Sequence, residues 1–270
     1  MKRLRKYKKA SGDSINCSSH LTENLFQPNF GFPGNTNTGN TNTGNTNAGN
    51  INAENINTGN ACVQISHVTK CFGEELVLKE VNLTLNYGQV YGIVGNNGSG
   101  KTVLMKCICG FLPTTTGRIY VCGKEIGKDV DFPESLGVII ETPGFLTQYT
   151  GQKNLKILAD MRGTISAADI HLVLRRVGLD PDMKKTVGKY SLGMRQRLGI
   201  AQAIMEDPRL LILDEPFNGL DKHGVAQIRE LLLELKAAGK TILLASHNEE
   251  DIRILCDHVY EMDGGVLKRV

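Results

Sequence analysis

The sequence predicts an α/β fold, a mostly parallel sheet with flanking helices, behind a leading segment of a different kind. Three observations predict it. Short apolar runs, "QVYGIVG", "PRLLILDEP" and "TILLASH", read as buried strands and alternate with longer stretches of helical periodicity. Strands interleaved with helices in this way build parallel sheets covered on both faces. A glycine-rich loop, "GNNGSGKT", joins one such strand directly to a helical pattern. Composition also changes sharply near residue 60.

Residues 1–60 open with the basic run "KRLRKYKK" and continue from Asn35 into five pentads, "NTNTG NTNTG NTNAG NINAE NINTG". An inner column drawn from these pentads would be mostly Thr and Ala, with only Ile51 and Ile56. So little apolar surface does not offset the entropy of ordering, which favours a disordered tract over a short β-coil or a self-association segment. The basic run reads as a solvated tail, the alternative being contact with anionic lipid or RNA.

The globular pattern starts at Ala61. "CVQISHVTKCF" and "EVNLTLNYG" alternate as strands, the second closing on a Tyr87-Gly88 turn. After "QVYGIVG" and the glycine loop, "TVLMKCICGFL" reads as a helix. Residues 152–178 are helix-like and end at the "LDPD" break. "PRLLILDEP" is a buried strand, "HGVAQIRELLLELKAAGK" an amphipathic helix closed by Gly239, and "TILLASH" the next buried strand.

The chain has 270 residues and a formal net charge of +3, but 25 of its 31 Lys/Arg and 25 of its 28 Asp/Glu lie in residues 61–270. The body is therefore formally neutral and carries no electrostatic footprint of a nucleic-acid channel. Seven scattered cysteines include a lone C-x-C (Cys107, Cys109) and no C-x-x-C pair. That pattern suits reduced thiols rather than a disulfide framework or a zinc site. No apolar run approaches the roughly 20 residues needed to span a bilayer, and no apolar stretch follows the basic start as in a secretory signal.

The loop fits G-x-x-x-x-G-K-[ST] at Gly95, Gly100, Lys101 and Thr102, with Asn96, Asn97, Gly98 and Ser99 between. Its glycines let backbone N–H groups turn inward around phosphates, and the helix that follows aims its N-terminus at the same anion. Lys101 reaches the terminal phosphates and Thr102 is a Mg²⁺ ligand. Far downstream, "LLILDEP" ends a buried strand in Asp214, a second candidate for Mg²⁺, and Glu215, placed to orient or deprotonate an attacking water.

Just before that strand stands "YSLGMRQRLGIA", residues 190–201. Together with the phosphate loop and "LILDEP", in this order and spacing, it makes residues 61–270 resemble the ATP-binding cassette (ABC) ATPases. The likeness is to the cassettes of bacitracin-resistance and lantibiotic-immunity type exporters, which share the Tyr-Ser-Leu-Gly-Met form. The resemblance implies a P-loop NTPase fold with an antiparallel β subdomain and a helical subdomain at about 145–205. It implies ATP and Mg²⁺ as ligands and Glu215 and His247 as catalytic residues. It also implies a head-to-tail pair with a second cassette, most simply a homodimer, whose signature Ser191, Leu192, Gly193 and Met194 closes the ATP site in trans. Ser191 is equally suited to capping a helix.

Further positions carry over singly. Phe72 matches the ring that stacks on adenine, a core Phe being the alternative. His247 matches the switch histidine, a helix cap being the alternative. Asp221 in "NGLD" matches the loop that crosses the dimer interface. Glu141 in "GVIIETPGF" stands where the family has Gln; it adds negative charge near phosphate and cannot donate when ionised. The resemblance further implies an integral membrane permease as partner, a place on the cytoplasmic face of the cell membrane, no nucleic acid, and export of a peptide antibiotic or similar amphiphile. The competing class is a soluble ABC ATPase serving iron–sulfur assembly, translation or DNA. A single cassette without heptad runs favours the transporter.

Overall fold

The computed structural model describes residues 60–270. The tail expected over residues 1–60 therefore lies, but for Asn60, outside the described residues. Two sheets organise the body. The first is antiparallel, in the order β2-β1-β4-β5, from β1 (Ala61–Phe72), β2 (Glu75–Asn86), β4 (Thr116–Val121) and β5 (Lys124–Glu125). The second has the order β10-β9-β3-β8-β7-β6. In it β3 (Val90–Val94), β6 (Leu136–Ile139), β7 (Leu210–Asp214), β8 (Thr241–Ala245) and β9 (His258–Asp263) run parallel, and β10 (Val266–Arg269) folds back antiparallel on β9.

The helices are α1 (Lys101–Ile108), α2 (Gly151–Arg162), α3 (Ala167–Arg176), α4 (Leu192–Ile204), α5 (Lys222–Ala237) and α6 (Glu249–Leu255). The central strands β3, β7 and β8 are almost wholly apolar because both their faces are covered. Alternate residues go to opposite sides. Leu211, Leu213, Ile242 and Leu244 join a core with residues of α2–α6, while Leu210, Ile212, Leu243 and Ala245 join a second core with α1 and the antiparallel sheet.

Several boundaries differ from the sequence reading, each for a local reason. The helix expected over residues 102–112 stops at Ile108, because Gly110 (φ 79°) closes a Schellman turn. Phe111 N donates to Lys106 O at 2.9 Å and Gly110 N to Cys107 O at 3.1 Å. The helical stretch expected over 152–178 is two helices. Gly163 ends α2 in the left-handed region, and Ser166 and Asp169 form a capping box that starts α3. The strand expected from Glu80 begins at Glu75, opposite Phe72 across a tight turn.

Leu243 is fully buried between β3 and β7. Leu243→Ala is expected to cost about 2–5 kcal/mol by cavity creation. In urea unfolding the midpoint should fall with the slope unchanged.

Candidate functional site

Parallel strands present their carboxyl ends to one edge, and ligands of open α/β sheets bind there. At this edge β3 runs into the glycine loop, β7 ends in Asp214 and Glu215, and β8 leads to Ser246 and His247. The register aligns Ile93 with Ala245 and Ala245 with Asp214, so the three exits are level.

The loop is tightly determined. Gly95 (φ 143°) carries its backbone so close to β9 that a Cβ there would lie 2.2 Å from Met262 O. Gly98 and Gly100 also take positive φ. Lys101 is buried, and its Nζ donates to the carbonyls of Gly95 (2.7 Å) and Asn96 (3.0 Å), folding the side chain back over the loop. The hydroxyl of Ser99 is buried and has no partner among the described residues. The N-terminus of α1 has no side-chain cap, whereas α2 to α6 are capped by Thr150, Ser166, Ser191, Asp221 and Asn248. The first N–H groups of a helix lack intrahelical acceptors. An uncapped start behind a glycine cradle, with an orphan hydroxyl beside it, fits a phosphate group.

Thr102 Oγ1 donates to Asp214 Oδ2 at 2.6 Å, bringing the two candidate Mg²⁺ ligands together. That oxygen donor set suits a hard divalent cation. Beyond Asp214 the chain turns sharply. Glu215 sits at φ 51°, a left-handed conformation costing a non-glycine residue about 1–3 kcal/mol. Its backbone is pinned on two sides: Glu215 N donates to Ala245 O at 3.0 Å, and Gln196 Nε2 donates to the carbonyls of Glu215 (3.3 Å) and Pro216 (3.0 Å). The Glu215 carboxylate lies 2.9 Å from His247 Nδ1. His247 is 72 % exposed, and the cap of α6 is Asn248, whose Oδ1 accepts from Glu250 N; the capping alternative for His247 is excluded.

Glu141 follows β6, also left-handed at φ 60°. It is paired with Lys106 Nζ at 2.5 Å. A cleft of about 450 Å³ lies between Glu141 and Pro143 on one side and Asp214 and Glu215 on the other, with Leu192 and Gln196 in its wall.

Ser191 caps α4, its Oγ accepting from Met194 N at 3.2 Å. Gly193 packs so tightly that a Cβ would stand 2.6 Å from Gly219 O. Leu192 projects into solvent at 55 % exposure. Tyr190 is buried, and its hydroxyl accepts from Gly151 N at 3.3 Å, tying the start of α4 to the start of α2. Burial pushes its phenol up. Asp221 caps α5 through Gly224 N at 2.8 Å. Phe72, at the end of β1, is 46 % exposed with Lys70 Nζ 5.0 Å above its ring; the core alternative is excluded.

Two residues escaped the sequence reading. Gln196 was visible as an amide in an otherwise apolar helix face. Lys106 carried no signal, because its pairing with Glu141 depends on the register of β6 against α1.

The chain matches the ABC transporter family over residues 78–218. It is 43 % identical to the uncharacterized ABC transporter ATP-binding protein YybJ of Bacillus subtilis, covering 76 % of this chain and 94 % of that one. It is 42 % identical to the bacitracin transport ATP-binding protein BcrA of Enterococcus faecalis, covering 76 % and 67 %. It is 37 % identical to the lantibiotic transport ATP-binding protein SrtF of Streptococcus pyogenes, covering 73 % and 85 %. Among solved structures, the ATP-binding subunit of an ABC transporter superposes with a TM-score of 0.70 at 27 % identity, over 77 % of this chain and 88 % of that one. The dimeric cassette MJ0796 shares the fold, with a TM-score of 0.70 at 24 % identity over 77 % and 97 %.

Gln196 is buried. Gln196→Leu removes the donor to two carbonyls that hold Glu215 in its strained turn, at a cost of about 1–3 kcal/mol per unsatisfied group. Steady-state kinetics should show kcat lowered at least ~10-fold with KM for ATP little changed. With the loop, the paired carboxylates and the signature set in this order on this fold, the chain belongs to the ABC transporter family, as one of its ATP-hydrolysing cassettes.

Proposed function

We propose that residues 95–102 bind the phosphates of ATP and that Glu215 activates the water that attacks the γ-phosphate. The observation that carries this reading is the meeting of Thr102 with Asp214 and of Glu215 with His247 at one sheet edge. Lys101, held by two neutral carbonyls, keeps its charge available to the β- and γ-phosphates. Thr102 and Asp214 would hold Mg²⁺, which when bound neutralises phosphate charge and polarises the terminal phosphoryl group. Glu215 accepts a proton from water while Gln196 and Ala245 hold its backbone in place. His247 Nδ1 fixes the carboxylate and is exposed enough to reach the γ-phosphate. Phe72 offers an exposed ring to the adenine.

Ser191 to Met194 serve the ATP site of a second cassette rather than their own. The exposure of Leu192 and the close seating of Gly193 on Gly219 support this arrangement, because they leave a shaped surface at the open end of the cleft. Asp221 holds the adjoining loop from below. A homodimer of this kind would drive an integral membrane permease from the cytoplasmic side. No helix among the described residues is long and apolar enough to cross a membrane. The names of the bacitracin and lantibiotic transport relatives support export of a peptide antibiotic or similar amphiphile.

Glu215→Gln is expected to retain ATP binding and to lose about 10²-fold or more in turnover. Turnover close to that of the unaltered protein would refute the role of Glu215. The same variant, loaded with ATP and Mg²⁺ and used to capture partners from solubilised membranes, should recover a polytopic membrane protein near one-to-one. Recovery of soluble proteins alone would overturn the transporter reading while leaving the ATPase intact.

A further inference from the structure

We propose that Cys122 is an oxidant-reactive thiol and Cys62 its resolving partner, a pair that a small hydroperoxide converts to a disulfide within the antiparallel sheet. The backbone sets the pair up. Along β1 and β4, Val63 is opposite Val121, so Cys62 falls opposite Cys122, and Cys122 N donates to Cys62 O at 2.8 Å. Directly opposed residues of antiparallel strands have Cα atoms about 4.5–5.5 Å apart, inside the span of about 4.4–6.8 Å that a disulfide bridges.

The two thiols differ in access. Cys62 is fully buried, while Cys122 is exposed at the turn between β4 and β5. Val121 pairs with Lys124, leaving Cys122 and Gly123 as a two-residue turn with φ 49° and 80°. Such a turn selects Asn, Asp or Gly at its first central position. Cysteine has no conformational reason to be there. The thiol opens onto a cavity of about 390 Å³, lined also by Lys124, Glu134, Ser135 and Arg209.

The surroundings favour thiolate at Cys122. A hydrogen bond from the Cys62 thiol, a second from Tyr87 and the charge of Arg209 hold it below the usual thiol range, against burial and the charge of Glu134. Cys62 is pushed up, first by donating to Cys122 and then by burial, with Thr241 and Arg209 opposing. The buried Cys107 and Cys109 and the half-buried Cys256 are of a different kind. Burial pushes Cys107 up to about 11, and Cys109 and Cys256 up to about 12. Reactive cysteines are those with thiolate character and access.

The chemistry balances with a hydroperoxide as the only co-reactant. The Cys122 thiolate attacks one peroxide oxygen; the O–O bond breaks and hydroxide leaves, giving a sulfenic acid. Cys62 sulfur then attacks Cys122 sulfur; the S–O bond breaks and water departs with the Cys62 proton. Two thiols lose two electrons and two protons, and one hydrogen peroxide becomes two waters. Once Cys122 is oxidised it no longer carries the charge that raised Cys62, so the resolving thiol becomes easier to deprotonate.

The full chain, treated with hydrogen peroxide and digested without reductant, tests this by mass spectrometry. A peptide joining Cys62 to Cys122 is expected, lighter by two hydrogens, forming roughly tenfold or more faster than any oxidation of Cys107, Cys109 or Cys256. In Cys62→Ser, dimedone should label Cys122. Arg209→Ala should slow alkylation of Cys122 by iodoacetamide near neutral pH. ATP turnover of untreated Cys122→Ser should match that of the unaltered chain, which separates this pair from the ATP site. The proposal fails if the linked peptide is absent and dimedone leaves Cys122 unlabelled in Cys62→Ser. It fails equally if Cys122 oxidises no faster than the buried thiols, or pairs with a different cysteine.

Discussion

Hydrogen bonding between β3, β8 and β7 makes three chain exits level at one edge of the sheet, and the nucleotide chemistry rests on that alignment. A slip of one residue in a parallel strand would exchange its two faces. Leu243 and Leu244 would trade cores, and Asp214 would lose its place beside Thr102. Both cores hold the register, because each strand is apolar on both sides and each side meets a different set of helices. The position of Asp214 is therefore set by hydrophobic packing well away from it.

At the level edge the chain must leave the sheet abruptly, and strain collects there. Glu215 and Glu141, at the ends of β7 and β6, both adopt left-handed backbone, which a glycine would accept more easily. Both carboxylates line the same cleft. The neighbours compensate. Gln196 and Ala245 hold the Glu215 backbone, and His247 its carboxylate. Lys106 holds the Glu141 carboxylate. Because Gln196 belongs to α4, two turns or less from Ser191, the signature helix and the Glu215 turn are tied by hydrogen bonds.

The fold and the nucleotide motifs were legible because their physics is local. A glycine loop between a strand and a helix, or aliphatic residues running into Asp-Glu, states its geometry within a few positions. Helix ends were less legible, since Gly110 and Gly163 stop helices whose apolar periodicity runs on past them. The strands β4, β6 and β9 were missed because their pairing is set by distant partners, and β5 and β10 because each is short and pairs only as the second arm of a hairpin on β4 or β9. The same applies within the site. Phe72 and His247 each had two readings in the sequence, and only exposure and the identity of the true cap, Asn248, separate them. The part played by Tyr190 depends on the fold in the same way, since Gly151, whose N–H donates to its hydroxyl, is 39 residues away in the chain.

The substitution of Glu for Gln at position 141 raised a charge problem that Lys106 answers. The cleft is lined by three carboxylates, Glu141, Asp214 and Glu215, and one cation, Arg195, which donates to the Tyr190 carbonyl at 3.0 Å; phosphate would bring more negative charge. The two lysines of α1 divide the task. Among the described residues Lys101 is held by neutral carbonyls rather than a carboxylate, and it faces the loop. Lys106, near the far end of the same helix, is committed to Glu141. With Glu141 64 % exposed, that pair is worth at most about 1 kcal/mol to folding. Its effect is electrostatic rather than stabilising: it sets a positive charge against one of the carboxylates of the cleft while Lys101 stays with the loop carbonyls. A Gln at this position would need no such partner, and a Glu without Lys106 would oppose the anion that the loop is built to receive.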